Sequence, residues 1–387
     1  PVNTVVSSNF IDKVRFRASA QTTANLSPHL FLKGYAAYGV RDKKWKYEGE
    51  VEYSFLKKQY SPEEFPRNSI AISTRYDVMA PSDAMLPTDK DNVFTSLKTQ
   101  TIDQMSYFRQ YNIRYVYEFD NHFGITAQLR HITQNPTGTL FYRTLGGQIV
   151  PELTQSEATL SLRYAPGEKV VVTKQRRHPV NHNYPIYTLM HTTGFKDVLG
   201  GDYASNYTEL SVTKRFWLNS YGRIDIYGRA GAQWNRVPFP LLITPAANNS
   251  YIIQRSMFNM INNMEFMNDR FVSLDVQWDL SGKLFNRIPL LKHLKWREVI
   301  GFKTLYGTLT DKNNPFKQGN QSDLFEFPSR NGQPTSFVMG DTPYMELNVG
   351  IHNIFKILRV DYVRRLNYLN APNAKKNGVR FVLQFDF

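Results

Sequence analysis

Residues 45–55 read Trp-Lys-Tyr-Glu-Gly-Glu-Val-Glu-Tyr-Ser-Phe and alternate between apolar or small side chains and polar ones. Successive side chains of a β-strand point to opposite faces, so this order places the carboxylates on one face and the rings on the other. A helix would scatter the same carboxylates around its circumference. A strand of about 9 to 11 residues with one apolar face is long enough to cross an outer membrane.

The same alternation recurs along the chain. Residues 272–280, for example, set Val, Leu, Val, Trp and Leu against Ser, Asp, Gln and Asp. We predict about sixteen strands, an even number as single-chain bacterial barrels require. They are residues 9–21, 29–42, 45–58, 68–79, 105–120, 123–134, 155–165, 184–196, 206–219, 221–235, 257–267, 270–281, 294–309, 343–353, 357–368 and 377–387. The sequence therefore predicts an all-β fold, a transmembrane antiparallel β-barrel that takes up residues 1–387 as a single domain.

Composition excludes other classes of membrane and soluble protein. Mean hydropathy is −0.44 and the chain has no apolar run of about 18 residues, which excludes a helical membrane protein. Aromatic residues make up 14% of the chain, as expected for aromatic girdles at two membrane interfaces. A soluble sandwich or propeller also alternates, but it would not expose Trp, Tyr, Leu and Phe on many consecutive strands. Its core could not hold the charged opposite face either.

The net charge of +14 raises the question of a nucleic-acid partner. No basic stripe or base-stacking motif is present, and Lys and Arg instead alternate with apolar residues inside strands, as in residues 14–18. This pattern favours a charged lumen and rim, with outer-membrane lipid and anionic lipopolysaccharide as the partners. We expect no nucleic-acid partner.

The last predicted strand carries a candidate barrel-insertion signal. Its outward residues are Val379, Phe381, Leu383, Phe385 and Phe387. A terminal strand with spaced aromatics ending in Phe is the usual signal for outer-membrane insertion, and it places the C-terminus in the periplasm. Counting back, residues 310–342 and 369–376 are predicted outside, and residues 81–103, 138–152 and 236–256 in the periplasm, where connections are normally short.

Charged residues suggest two further sites. Inward-facing charges of both signs predict a lumen charge network that narrows the pore, which makes a wide porin a weaker hypothesis. Its members are Arg223, Asp225, Arg229, Arg359, Asp361 and Arg365. A basic run at residues 174–183, in a predicted extracellular loop, offers Lys174, Arg176 and Arg177 to lipid A phosphates, although a solvated loop is the more ordinary interpretation of such a run.

Signatures of catalysis are missing from the sequence. It contains no Gly-x-Ser-x-Gly elbow, no phosphate-binding Gly-rich loop and no His-Glu-x-x-His pair. Pro179 between His178 and His182 disfavours a helical metal site. His131 and His191 lie inside predicted strands without an identifiable Ser partner. We therefore expect no enzyme activity, cofactor or metal, with a lipid-modifying barrel enzyme as the remaining catalytic alternative.

The chain shows two resemblances, one confined to its last three strands and one that spans nearly its whole length. Residues 344–365 and the final strand resemble the last three strands of BamA-like barrels. The stretches Phe258-Asn259-Met260, Met264-Glu265-Phe266, Asp269-Arg270-Phe271, residues 285–292 and 294–298, and residues 35–39 with Asp42 and Tyr47 resemble an uncharacterised Bacteroidota outer-membrane family. Members of that family typically carry a carboxypeptidase-regulatory-like β-sandwich ahead of the barrel. This resemblance implies a cell outer-membrane location and an N-terminal periplasmic domain outside this chain.

One departure from BamA-like insertases bears on function. Those barrels carry a long sixth extracellular loop with an Arg-Gly-aromatic motif inside the lumen, whereas the predicted join here is a tight turn at residues 267–270. This difference argues against insertase activity. The sequence favours a non-enzymatic accessory or anchor in envelope biogenesis or in a larger outer-membrane complex, with other outer-membrane or periplasmic proteins as partners. A passive channel for small solutes is the alternative.

Overall fold

The computed structural model describes residues 2–84, 91–172, 177–179, 183–254, 256–317, 319 and 324–383. Among these residues, three small two-stranded hairpins lie in the connections, namely Tyr142–Arg143 with Ile149–Val150, Val170–Val172 with Arg177–Pro179, and Ser329–Arg330 with Gln333–Pro334. The main sheet is antiparallel and has sixteen strands, each paired with the next strand of that sheet along the chain. The strands are β1 (Val6–Ser7), β2 (Arg15–Gln21), β3 (Leu30–Gly39), β4 (Trp45–Ser54), β5 (Asn68–Met79), β6 (Gln104–Glu118), β7 (Phe123–Gly138), β8 (Leu153–Tyr164), β9 (Ile186–Phe195), β10 (Ser205–Trp217), β11 (Arg223–Gln233), β12 (Arg270–Asp279), β13 (Arg297–Thr308), β14 (Tyr344–Ile354), β15 (Leu358–Arg365) and β16 (Asn377–Leu383). The predicted all-β fold and strand number are thereby confirmed.

Alternation along the strands matches the two faces of the sheet. On β4 and β12, Trp45, Val51 and Val272 are exposed, whereas Lys46 and Glu52 are buried on the other face. Among the described residues no helix has the length and apolar character needed to span a membrane. The helical elements are α1 (Pro289–Leu294) and the short 3-10 turns Val2–Thr4, Pro81–Ala84, Val198–Gly200, Asn219–Tyr221, Phe239–Leu241, Phe285–Arg287 and Asp311–Asn313.

The strand predicted at residues 257–267 is wrong. This stretch is irregular and largely buried inside the barrel, and Met264 adopts a left-handed backbone conformation with φ 58°. Its backbone amides at Asn259 and Met260 donate to the Glu346 carboxylate instead of to a neighbouring strand. The number of strands is nevertheless sixteen, because the short strand β1 precedes the strand that was predicted at residues 9–21. Of that predicted strand, only residues 15–21 form a strand, which is β2.

Each strand of an antiparallel sheet takes the chain to the opposite end of the barrel. Without a strand at residues 257–267, all connections before that segment therefore lie at the end opposite to the predicted one. We call the loop end the one with residues 80–103, 139–152, 234–269, 309–343 and 366–376, and the turn end the opposite one, with residues 119–122, 165–185, 218–222, 280–296 and 355–357. The connections predicted as periplasmic therefore share the end of those predicted as external. The described part of the predicted basic run, residues 177–179 and 183, lies in a turn-end connection, opposite the connections predicted as external.

The two edges of the sheet do not pair with each other within the described residues. Ile253 N donates to the Phe381 carbonyl of β16 and Phe381 N donates to the Tyr251 carbonyl, each at 2.8 Å. On its other side Tyr251 N donates to the Leu97 carbonyl at 2.9 Å. Residues 93–96 then bond to the N-terminal residues ahead of β2. We call this closure the seam, and it is made from two loop-end connections.

Candidate functional site

The connection between β11 and β12, residues 234–269, turns into the barrel, and we call it the lumen segment. Residues 242–250, 257–261 and 264–269 are all buried. Connections usually run over the protein surface, because a buried one must find partners for every backbone N–H and C=O. The wall of the barrel provides many of these partners.

Two charged residues of the wall bind the backbone of the lumen segment. Glu346 on β14 accepts hydrogen bonds from Asn259 N at 2.9 Å and Met260 N at 3.0 Å. Lys303 on β13 donates through Nζ to the Met257 carbonyl at 2.5 Å. Both side chains are almost fully buried. Hydrogen bonds to ionised groups are stronger than neutral ones, so these contacts stabilise a backbone that has no ladder partner.

Arg365 on β15 forms the most deeply buried ion pair of the lumen segment. Its guanidinium contacts both carboxylate oxygens of Glu265 at 2.6 and 3.1 Å, and the two side chains are 0% and 1% exposed. A further hydrogen bond runs from Arg365 to the Met260 carbonyl at 3.2 Å. Arg380 on β16 donates to the Asn259 carbonyl at 2.5 Å. Four charged wall residues thus hold residues 257–265 in place.

Aromatic packing closes the remaining space at the loop end. Phe258 and Phe266 of the lumen segment pack against Tyr344 of β14, with ring centroids 5.7 and 6.0 Å apart. Tyr142 and Phe325, from two other loop-end connections, stack at 5.8 Å in a second buried cluster, which includes Met264 and Met267 of the lumen segment. Three connections therefore fill the lumen at this end.

The predicted lumen charge network separates into local groups. Arg223 lies 3.4 Å from Asp279, and Asp225 accepts two hydrogen bonds from Arg215. Arg359 contacts Asp361 at 2.6 and 2.7 Å. The other two members have separate partners: Arg229 pairs with Glu209, and Arg365 with Glu265 of the lumen segment. Within the described residues, no single network joins all six.

Lumen charges toward the turn end are paired but partly exposed. Arg130 is bonded to Glu157 and Arg163 to Glu168, while 37% and 36% of these arginine side chains remain exposed. This exposure contrasts with the buried Arg365. The charged side chains of the lumen face are therefore buried at the loop end and partly exposed toward the turn end.

Of the predicted lipopolysaccharide contacts, Lys174 and Arg176 lie outside the described residues. Arg177 lies on the short hairpin Val170–Val172 and Arg177–Pro179. Its guanidinium contacts the Glu118 carboxylate at 2.7 and 2.8 Å and Glu168 at 3.2 Å. Two carboxylates thus occupy the group that was predicted to bind phosphate, and that role stays a prediction.

Arg177→Gln is expected to lower the free energy of unfolding by about 1 kcal/mol at pH 7, because the three side chains are partly solvated. Burial alone would raise the pKa of Glu168, but hydrogen bonds and charges from Arg163 and Arg177 hold that pKa below its ordinary value of 4.5. The stabilisation is therefore complete above about pH 4.5 and is lost as the pH falls through the lowered pKa. Thermal unfolding in detergent at pH 7 and pH 3 measures both effects.

Lys57→Gln, an exposed residue of a neighbouring turn-end connection, provides the control. It should change the unfolding temperature little at either pH. An Arg177→Gln protein as stable as the wild type at pH 7, or equally destabilised at pH 3, would contradict this interpretation of the ion pairs.

The predicted insertion signal is described only in part. Val379 on β16 is exposed, and Phe381 and Leu383 share its face through strand alternation. Phe385 and Phe387 lie outside the described residues. The role of these five residues as an insertion signal stays a prediction.

Both strand histidines contact hydroxyl side chains that the sequence did not reveal. His131 Nδ1 lies 3.0 Å from Ser156 Oγ, across the β7–β8 ladder. His191 Nδ1 lies 2.8 Å from Thr208 Oγ1. Nucleophilic catalysis also needs a group that orients the base and an accessible hydroxyl. Ser156 is buried, and no carboxylate contacts the His131 ring within the described part of the chain. The described residues likewise contain no cluster of three or more metal-ligating side chains.

Sequence reasoning missed four residues of the site, namely Glu265, Lys303, Glu346 and Arg380. Alternation in the last predicted strand places Arg380 on the face opposite the apolar one, but it does not indicate what this side chain would contact. The nearest signal was the charge of Lys303 and Glu346, which are cross-strand neighbours on β13 and β14 and occupy the same face. Such a pair at two adjacent inward positions suggests a polar occupant of the lumen.

Comparisons with known proteins agree with this architecture. Residues 2–316 match the model of a family of unknown function, the DUF5686 C-terminal domain. No curated protein matches the sequence. Among solved structures, BamA from Haemophilus ducreyi lacking POTRA domains 1–3 is similar, with a TM-score of 0.58 and 8% identity, over 97% of this chain and 69% of that one. CdiB from Acinetobacter baumannii gives a TM-score of 0.45 at 10% identity, and the chain spans 57% of it. At these identities the likeness concerns the fold alone.

Proposed function

The chain belongs to the family of unknown function DUF5686, as its C-terminal domain, and on that premise we propose that it is a non-enzymatic outer-membrane β-barrel. Its role would be an anchor or accessory in envelope biogenesis or in a larger outer-membrane complex. The observation that carries this proposal is the lumen segment, fastened by buried charges such as the Arg365–Glu265 pair. A barrel with a filled lumen is suited to hold and present surfaces rather than to pass solutes.

The lengths of the connections support an orientation. Bacterial outer-membrane barrels have short periplasmic turns and longer extracellular loops. The loop end carries the two longest connections, residues 234–269 and 309–343. The turn end carries the three tight turns 119–122, 218–222 and 355–357 beside the longer connections 165–185 and 280–296. The loop end would therefore face outside and the turn end the periplasm. With this orientation the C-terminal end of β16 is periplasmic, as expected from the sequence.

The structure removes one of the two predicted differences from BamA-like insertases. The join between β11 and β12 is the long lumen segment and not a tight turn, so its length no longer separates this chain from BamA-like barrels. The other difference remains, because residues 234–269 contain no Arg-Gly-aromatic sequence. An accessory role is consistent with both observations.

Co-purification and conductance test the proposal together. Native protein extracted in mild detergent is expected to bring the same envelope proteins with it in repeated preparations. In planar bilayers the purified barrel should show no steady open state of the size found for aqueous 16-stranded porins. Solitary behaviour in mild detergent would contradict the proposal, and a stable large conductance would favour the passive channel instead.

A further inference from the structure

The connection between β12 and β13 exposes a group of apolar side chains at the turn end. We call residues 280–296 the rim segment; it contains α1. Its exposed apolar residues are Leu284, Ile288, Leu290 and Leu294, of which Leu290 is 73% exposed. Phe355, on the adjacent turn, is 84% exposed. The two connections are joined by a hydrogen bond from Asn353 Nδ2 to the Lys295 carbonyl at 2.7 Å. In water such a group of side chains would be unfavourable.

Positive charges surround this apolar group. Residues 280–296 contain Lys283, Arg287, Lys292 and Lys295 and no Asp or Glu, and Lys356 lies on the adjacent turn. Among the described residues none of these five cations forms an ion pair. The flanking carboxylates have other partners, since Glu298 accepts from Phe285 N and Asp279 contacts Arg223 and His352. The rim segment therefore has a net positive charge that nothing in the described chain neutralises.

Aromatic residues at the base of the rim segment give its level relative to the membrane. Trp278 donates through its indole N–H to the Tyr221 carbonyl at 2.8 Å, and Lys283 Nζ lies 4.0 Å from the centre of the Tyr221 ring. Tyr221 and the neighbouring Trp217 are both more than half exposed. Trp and Tyr concentrate at the headgroup level of membrane barrels. These contacts connect the start of the rim segment, at Lys283, with Trp278 on β12.

From this arrangement we propose that the rim segment and the 355–357 turn bind anionic glycerophospholipid in the membrane leaflet at the turn end. The exposed Leu and Phe side chains insert at the acyl boundary, and Arg287, Lys292 and Lys295 contact headgroup phosphates. Basic segments with an apolar face bind anionic membrane interfaces through burial of apolar surface and through electrostatic attraction to the headgroups. Lipid A in the outer leaflet also presents phosphate groups. The rim segment, however, lies at the end with the tight turns, which is the proposed periplasmic end, so phospholipid of the inner leaflet is the expected ligand. The inference rests on the proposed outer-membrane location.

Native mass spectrometry of the full-length protein in detergent measures this binding directly. Phosphatidylglycerol and phosphatidylcholine with identical acyl chains are added separately, and we expect the wild type to bind phosphatidylglycerol at least about tenfold more tightly. The variant Arg287→Gln/Lys292→Gln/Lys295→Gln should lose that preference. The control Lys43→Gln/Lys317→Gln/Lys376→Gln removes three exposed charges at the loop end and should keep it.

A second variant, Leu290→Ser/Phe355→Ser, changes the most exposed apolar residues of this group. It should weaken the binding of both phospholipids, while the preference for phosphatidylglycerol remains. Glycerophosphoglycerol without acyl chains should compete weakly, and purified lipid A should bind no more tightly than phosphatidylglycerol. Equal binding of the two phospholipids by the wild type would overturn the proposal even if no variant folds. The proposal would also be overturned if the variant Arg287→Gln/Lys292→Gln/Lys295→Gln kept its preference for phosphatidylglycerol but lost a co-purifying protein. That result would mean that the positive charges of the rim segment bind an acidic protein instead of lipid. Preferential phosphatidylglycerol binding by a protein that fractionates away from the outer membrane would refute the proposed location and leave the binding intact.

Discussion

Arg365→Leu is expected to raise the free energy of the lumen segment by about 3 to 5 kcal/mol, because it leaves the Glu265 carboxylate buried without its partner. Both side chains are inaccessible to solvent in the structure. The Asn259 and Met260 amides donate to Glu346 inside the lumen. Their rate of hydrogen exchange measures the destabilisation, because a less stable lumen segment unfolds locally more often and exchanges faster. A change below about 1 kcal/mol would show that the pair does not hold the segment.

Two further variants separate the buried charge from other effects. Arg364→Leu changes the adjacent residue of β15, whose side chain is exposed on the outer face, and should alter exchange by no more than about 0.5 kcal/mol. Arg365→Leu combined with Glu265→Met removes both charges and should recover most of the loss, since a well-packed apolar pair often replaces a buried ion pair at little cost. Failure of the double variant to recover would assign the effect to lost packing.

Replacing residues 257–263 with a short Gly-Ser linker, which leaves Tyr251 and Ile253 of the seam in place, is expected to open the barrel. This stretch supplies the buried backbone that Lys303, Glu346 and Arg380 hold in the lumen. A 16-stranded barrel without such a filling leaves an aqueous channel, so conductance should rise at least about tenfold above the wild type. Planar-bilayer recording measures the change, and uptake of large hydrophilic antibiotics by intact cells gives a second readout.

Val198–Gly200 provides the matched control for this replacement. It belongs to another loop-end connection, contains no buried residue and includes Leu199 at 77% exposure. Substituting a shorter linker there should leave conductance at the wild-type level. Equal conductance of the wild type and the lumen-segment variant would mean that other connections close the lumen alone.

The strands could be predicted from sequence because lipid and lumen impose opposite demands on alternating side chains. Residues 45–55 and 272–280 follow this rule, and both lie on strands in the structure. Residues 257–267 follow a similar pattern for another reason. Phe258 and Phe266 pack into an apolar cluster, while Glu265 faces the charged wall. A segment inserted in the lumen thus has an apolar side and a polar side, as a membrane-spanning strand does. Local sequence therefore does not distinguish an inserted segment from a membrane-spanning strand.

That one misassigned segment had consequences beyond its own residues. An antiparallel sheet reverses direction at every strand, so a false strand at 257–267 transferred all earlier connections to the wrong end of the barrel. The contacts of the site were beyond prediction for a related reason. Arg365 and Glu265 are separated by 100 residues, and only the folded register brings them together.

The seam also constrains the order in which the molecule is built. One edge of β16 pairs with β15, and Tyr251 and Ile253 provide the partner for its other edge, so the sheet cannot close until that stretch lies inside the barrel. Closure of the sheet therefore depends on the lumen segment having reached its place first.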